Sequence, residues 1–288
     1  MTATMPAASP VESSLTAPTK FVEADGTRYA YRHLGKTNGV PLVLLQHFTG
    51  TMDDWDPAVV DGLAAGRPVV LFDNAGVSRS SGVTPDNVLD MARHAVAFIT
   101  ALGLEKVDLL GFSLGGFIAQ LIAEEHPGLV RRMILAGTGA EGGVGIRDLL
   151  QVLEKAQKHS PNEPRQFLFF PESPTSQAAG RAFLERQARR TADRDPASTA
   201  QTVSAQATAI VEWGNASASR STTRLKRIEL PVLIVNGKDD IMVPSINSFA
   251  LFRDLPNARL ILYPDSGHGA LFQYADAFVA EVLRFLGD

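Results

Sequence analysis

Ser113 stands in Leu109-Leu110-Gly111-Phe112-Ser113-Leu114-Gly115-Gly116, where an apolar run ends and an amphipathic stretch of helix length opens just after the serine. Between a strand and a helix the turn must be very tight, and glycines flank it because a Cβ there would collide with neighbouring chain. Such a turn lifts the hydroxyl to the end of a strand, beside a helix N-terminus that favours developing negative charge. The chemistry implied is nucleophilic attack, which needs a base to take the serine proton. Six histidines compete for that role. His33 falls in an edge hairpin, His94 in a helix, His126 at a helix end before Pro127, and His159 among charged helical sequence. His47 follows a strand and could line the site. His268, in Asp265-Ser266-Gly267-His268-Gly269, lies between the last strand and the last helix, at the sheet edge reached by Ser113, with glycines on both sides to let its ring turn inward. His268 is therefore the expected base. An acid must fix its tautomer, and Asn236-Gly237-Lys238-Asp239-Asp240 follows another buried strand at the same edge. Either Asp239 or Asp240 could serve, since an Asp after a strand also commonly caps a turn.

These residues need strand ends to hold them. Apolar runs at Pro41 to Gln46, Pro68 to Phe72, Val107 to Leu110, Val130 to Leu135, Pro231 to Val235 and Arg259 to Leu262 have strand length. Four of them are apolar at nearly consecutive positions, as strands buried on both faces should be. Helix-like stretches alternate with them: Asp56 to Ala65, Val88 to Leu102, Leu114 to Glu125, Ser245 to Leu255 and Tyr274 to Leu286. This alternation predicts an α/β fold with a mostly parallel central sheet and helices on both faces. Asp25-Gly26 predicts a hairpin that adds antiparallel strands at one edge. From about residue 140 to 227 the alternation stops. Ile146 to Lys158 and Gln177 to Ala192 are amphipathic and charged, and the region predicts an inserted helical cap, with the core at 20–139 and 228–288.

The 288 residues carry a formal net charge of -4 and no run of like charges, so no nucleic-acid partner is expected. Cysteine is absent, which excludes disulfides and thiolate metal sites. No histidine pair has ligand spacing, Gly111 to Gly116 is not a dinucleotide fingerprint, and no cofactor or metal is expected. Asp53-Asp54 is expected to start a helix before Pro57. Residues 1–19, rich in Ala, Ser, Thr and Pro and lacking a signal-peptide core, predict a disordered leader and a cytoplasmic protein with no membrane partner.

Beyond the serine turn, over residues 20 to 288, the chain resembles the α/β-hydrolase superfamily. The order Ser113, Asp240, His268 matches that family, and Asp240-Ile241-Met242-Val243-Pro244 matches its acid followed by Pro, which favours Asp240 over Asp239. Leu44-Leu45-Gln46-His47-Phe48-Thr49-Gly50 resembles the family's Leu-Leu-His-Gly-Phe-Thr-Gly loop, with Gln46 replacing His and His47 replacing Gly. The match implies an oxyanion hole from the backbone N–H groups of Phe48 and Leu114. Phe72 to Ser80 resembles a structural segment of the family. The resemblance is to the esterase, enol-lactonase, metal-free haloperoxidase and carbon–carbon hydrolase branches. It implies a serine hydrolase acting on an ester, lactone or related carbonyl of a small, largely apolar substrate, with perhydrolase or carbon–carbon hydrolase chemistry as the alternative and a non-catalytic small-ligand receptor as a further one.

Within the cap, Phe167, Phe169 and Phe170 predict either a hydrophobic lid or internal packing. Arg181, Arg186, Arg189, Arg190 and Arg194, interleaved with Glu185, Asp193 and Asp195, predict a solvated, salt-bridged face. Trp55 and Trp213 either edge the pocket or pack.

Overall fold

The computed structural model of the chain describes residues 12–287, apart from the side chains at 219 and 220. β1 (Lys20–Ala24) and β2 (Thr27–Gly35) pair antiparallel across Asp25 and Gly26, both at positive φ (48° and 74°). That is the twist a two-residue hairpin turn requires. The remaining strands are β3 (Leu42–Leu45), β4 (Pro68–Phe72), β5 (Val107–Phe112), β6 (Val130–Ala136), β7 (Val232–Gly237) and β8 (Ala258–Tyr263). Together they form one eight-stranded sheet in the order β1-β2-β4-β3-β5-β6-β7-β8. β2 runs antiparallel to β4, and every later pairing is parallel. Every residue of β3, β4, β5 and β7 is buried, which accounts for their unbroken apolar runs.

The core helices are α1 (Pro57–Gly66), α2 (Val88–Ala101), α3 (Leu114–Glu125), α9 (Ile246–Asp254), α10 (Ala270–Gln273) and α11 (Ala275–Gly287). α1 packs on α11, and α2 on α3. β3 lies between β4 and β5, so the chain leaves β3 toward one side of the sheet and later continues on the other. A crevice at the carboxyl ends of strands flanking such a switch is where open α/β sheets bind ligands. Leu45 is in register with Gly111, so the loops after β3 and β5 are neighbours there.

Between β6 and β7 lie α4 (Leu149–His159), α5 (Pro164–Phe169), α6 (Pro174–Ala188), α7 (Ala200–Asn215) and α8 (Ala218–Leu225). α7 is capped by the Thr199 hydroxyl and buries Thr202, Ala205, Gln206, Ala209, Ile210 and Trp213 at helical spacing. With Thr, Ala and Gln in that stripe, its periodicity is faint in the sequence. No helix among the described residues is long and apolar enough to cross a membrane.

Three expectations need correction. The arginines from 181 to 194 form a solvated face only in part. Arg186 makes a two-pronged pair with the core's Asp56 at 2.8 and 2.7 Å, and Arg190 is buried, 3.3 Å from Asp53. Asp195 pairs at 3.0 Å with Arg32, a fully buried residue of β2 that also pairs with Asp53. The main partners of Arg186, Arg190 and Asp195, namely Asp56, Asp53 and Arg32, are distant in sequence, although Arg190 also lies 3.5 Å from the neighbouring Asp193. Only Arg181, Arg189 and Arg194 stay exposed. Residues 12–19 of the expected leader are held in place. Ser14 N–H donates to Asp61, Arg190 donates to the carbonyls of Ser14 and Ala17, and Ala17 is buried. Residues 1–11 lie outside the described residues. Asp53 and Asp54 stand in the first turn of a short 3₁₀ helix (Met52–Asp54) capped by Thr51, but α1 itself starts on Asp56, whose carboxylate accepts the Ala58 N–H.

Candidate active site

Ser113 sits between the end of β5 and the start of α3 at φ 55° and ψ −117°. A non-glycine residue held there stores strain, on the order of 1–3 kcal/mol, which the surroundings must over-determine. They do so with hydrogen bonds: the Ser113 N–H donates to Ala136 O at 2.9 Å, and its carbonyl accepts from Gly116 N–H and the Thr138 hydroxyl, both at 2.8 Å. The glycine requirement is steric. A Cβ on Gly115 would stand 1.9 Å from the carbonyl oxygen of Leu45 at the end of β3.

The loops after β7 and β8 bring the other two residues together. A Cβ on Gly237 would lie 2.2 Å from the Gly267 carbonyl, so glycine there lets the acid loop rest directly on the histidine loop. His268 Nδ1 is 2.8 Å from Asp240 Oδ2, and both side chains are buried. The other oxygen of Asp240 accepts N–H groups from Met242 and Val243 at 2.8 and 2.9 Å. A carboxylate so held accepts a hydrogen bond from Nδ1–H, keeping the proton on Nδ1 and leaving the Nε2 lone pair free. Asp239 is exposed and uses its N–H on Ser266 O. The structure therefore assigns the pairing to Asp240 and resolves the choice the residues had left open.

His268 Nε2 is buried without a hydrogen-bond partner, so no bond to Ser113 is formed in this state. The His268 ring lies between Phe112 (5.0 Å between centroids) and Phe169 of α5 (5.4 Å). Catalytic hydrogen bonds are commonly incomplete in unliganded proteins. The glycines beside His268 have a different use from the one expected. A Cβ on Gly267 or Gly269 would press on the backbone or side chain of Phe169 at 2.9 Å, and Gly269 N–H donates to Phe169 O at 3.0 Å. They make room for the cap.

The N–H groups of Phe48 and Leu114 donate to no acceptor among the described residues, and they belong to the two loops that Leu45 and Gly111 place side by side. His47 replaces the glycine that the resemblance implies, and the loop absorbs it. The Gln46 side chain ties the loop by accepting His47 N–H at 2.9 Å and donating to Thr51 O at 2.8 Å. The His47 ring is buried against Phe112 and Phe169, with Nδ1 2.8 Å from Phe48 O. Burial pushes its pKa down to about 4, with the Asp54 charge and the Phe48 carbonyl opposing.

This geometry agrees with what the chain is similar to. A model of the alpha/beta hydrolase fold matches residues 40–274. The chain belongs to that family. A solved α/β-hydrolase fold protein from Chitinophaga pinensis is 44% identical and covers 96% of this chain and 99% of its own, with a TM-score of 0.92. A proline iminopeptidase from Lactobacillus delbrueckii subsp. lactis is 28% identical over 81% of this chain and 85% of its own. A 2-hydroxy-6-oxo-6-phenylhexa-2,4-dienoate hydrolase from Burkholderia cepacia is 28% identical over 78% and 79%. Like its relatives, this α/β-hydrolase is an enzyme of the hydrolase class.

Several residues around the site were not legible beforehand. Of the cap phenylalanines, Phe169 alone reaches both histidine rings, while Phe170 packs on Phe183 and Phe167 on His159. Trp55 touches Phe112 and Phe272 beside the site, whereas Trp213 stacks on Phe117. Gln206 of α7 was missed altogether. Its Oε1 accepts the Thr49 N–H at 2.6 Å, and it lines a cavity of about 30 Å³ with His47, Leu114, Leu45, Met91 and Ile118. A buried glutamine in an Ala-rich helical stripe was the available signal.

Proposed function

We propose that this α/β-hydrolase is a serine esterase or lactonase for small, largely apolar acyl compounds. Ser113 Oγ attacks the carbonyl carbon and His268 Nε2 takes its proton. Asp240 holds the imidazole with Nδ1 protonated and stabilises the imidazolium. The N–H groups of Phe48 and Leu114 receive the developing oxyanion, a contribution of about 3 kcal/mol per donor. His268 returns the proton to the leaving group, then activates a water that releases the acyl group and restores Ser113.

The observation that carries this reading is the buried His268–Asp240 pair, doubly anchored by backbone N–H groups, at the strand ends beside a serine held at positive φ. The adjoining cavity is small, about 30 Å³, which supports a small acyl group. The test is hydrolysis of nitrophenyl acetate and nitrophenyl octanoate by the parent and by Ser113→Ala. The acetate is expected to be the better substrate, and Ser113→Ala is expected to lose at least about 10⁴-fold in kcat. Equal rates for parent and variant would refute the mechanism. Because relatives are named for a proline peptide bond and for a dienoate, a proline anilide and a dienoate complete the panel.

A further inference from the structure

His47 has no role in the mechanism above, yet it shares the site's aromatic box. Its ring stands edge-on to Phe112 and Phe169 at 5.3 and 5.5 Å, and the same two rings flank His268. Nδ1 lies 2.8 Å from the Phe48 carbonyl, which can only accept, so Nδ1 carries the proton and Nε2 is left as a lone-pair acceptor. That Nε2 is buried and has no partner. Buried polar atoms without partners each need an explanation, and this one, unlike Ser248 Oγ or Tyr263 OH, belongs to a residue that lines a cavity beside Leu114. Burial keeps the ring neutral, so its acceptor character persists at ordinary pH. The residue also lines the cavity beside Leu114, together with Gln206, whose amide nitrogen donates to no acceptor among the described residues. Beside Leu114, the residue after Ser113, there is thus an acceptor residue in one wall with a donor residue, among Leu45, Met91 and Ile118 and the polar Gln46, Asn74 and Thr84.

We infer that His47 Nε2 accepts a hydrogen bond from a hydroxyl or N–H carried by the substrate next to its scissile carbonyl, making α-hydroxy or α-amino acyl compounds the preferred class. The inference rests on the proposed reaction at Ser113 and specifies its substrate. His47 is then a specificity residue in contact with substrate, while His268 does the proton transfer.

The test compares ethyl lactate with ethyl propionate, which differ by one hydroxyl. Dissociation constants are measured by ligand-observed NMR titration on Ser113→Ala protein, so binding is read apart from turnover. Ethyl lactate is expected to bind about five- to ten-fold more tightly, the range of one hydrogen bond. Adding His47→Asn, which keeps a donor for the Phe48 carbonyl but is too short to place an acceptor at the Nε2 position, should bring the ratio close to one. Adding His47→Gln instead, which restores an amide oxygen at similar reach, should recover most of the preference. Equal binding of the two esters, a preference that survives His47→Asn, or a folded His47→Gln protein without preference would each overturn the inference. The reading of Ser113 fails separately, if Ser113→Ala protein still hydrolyses either ester.

Discussion

The strand ends and the inserted helices solve the same problem, holding side chains in place, by opposite means. At the strand ends, backbone does the positioning. Ser113, Asp240 and His268 are set by hydrogen bonds to main-chain groups and by glycines that admit close chain approach. At the cap, side chains do it. Arg186 to Asp56, Arg165 to Asp54 at 2.8 Å, and Asp195 to Arg32 tie α5, α6 and the loop beyond to the core, and Phe169 plugs the aromatic box. The first arrangement should be rigid and intolerant of small changes. The second should yield as a unit when its buried charges are left unpaired.

The largest effect is expected at the strand ends. Asp240→Asn leaves the fold in place but presents a donor where Nδ1–H needs an acceptor, which disfavours the working tautomer. A loss of about 10³- to 10⁴-fold in kcat is expected, read with nitrophenyl acetate, alongside a nearly unchanged thermal midpoint. A large drop in stability without the kinetic defect would break the contrast.

Next comes the cap. Arg186→Ala strands the fully buried Asp56 carboxylate, and a broken buried pair costs about 3–5 kcal/mol. Arg186 is itself 23% exposed, so the lower end is expected. Urea unfolding should show it, while kcat on nitrophenyl acetate falls far less than in Asp240→Asn.

A smaller effect sharpens the comparison where the two regions meet. His47 has its pKa depressed by burial, from the ordinary value of about 6.5 to about 4. Its folded state prefers the neutral ring. The unfolded chain therefore binds the extra proton first, and stability is present above about pH 6.5 and lost as pH falls toward 4. The full difference is about 3 kcal/mol. His47→Gln should flatten that part of the stability profile between pH 7 and 4.5, and an unchanged acid slope would show that His47 is not the group responsible.

These differences also explain what could be read from the chain. Gly111, Ser113 and Gly115 lie within five residues and their constraint is local, so the turn was visible, as were the buried strands that end beside it. Asp240 and His268 each follow a strand, and strand ends share an edge in a parallel sheet. Strand position alone left Asp239 and Asp240 open, and only the family resemblance favoured Asp240; the contact of Asp240 with His268 forms between two distant loops that Gly237 lets lie against each other. Cap contacts were illegible for the same reason. Arg186 and Asp56 are 130 residues apart, and neither side chain betrays its partner. His47 was noticed as a possible wall of the site. Its orphaned nitrogen became evident only once Phe48 O was seen to occupy the other one.

The proposed mechanism depends on Ser113 Oγ being the attacking atom. A fluorophosphonate probe followed by intact-protein and peptide mass measurement tests it directly. A single adduct is expected on the peptide carrying Ser113, formed by the parent and absent from Ser113→Ala. An adduct that persists in Ser113→Ala, or that maps to another serine, would contradict it.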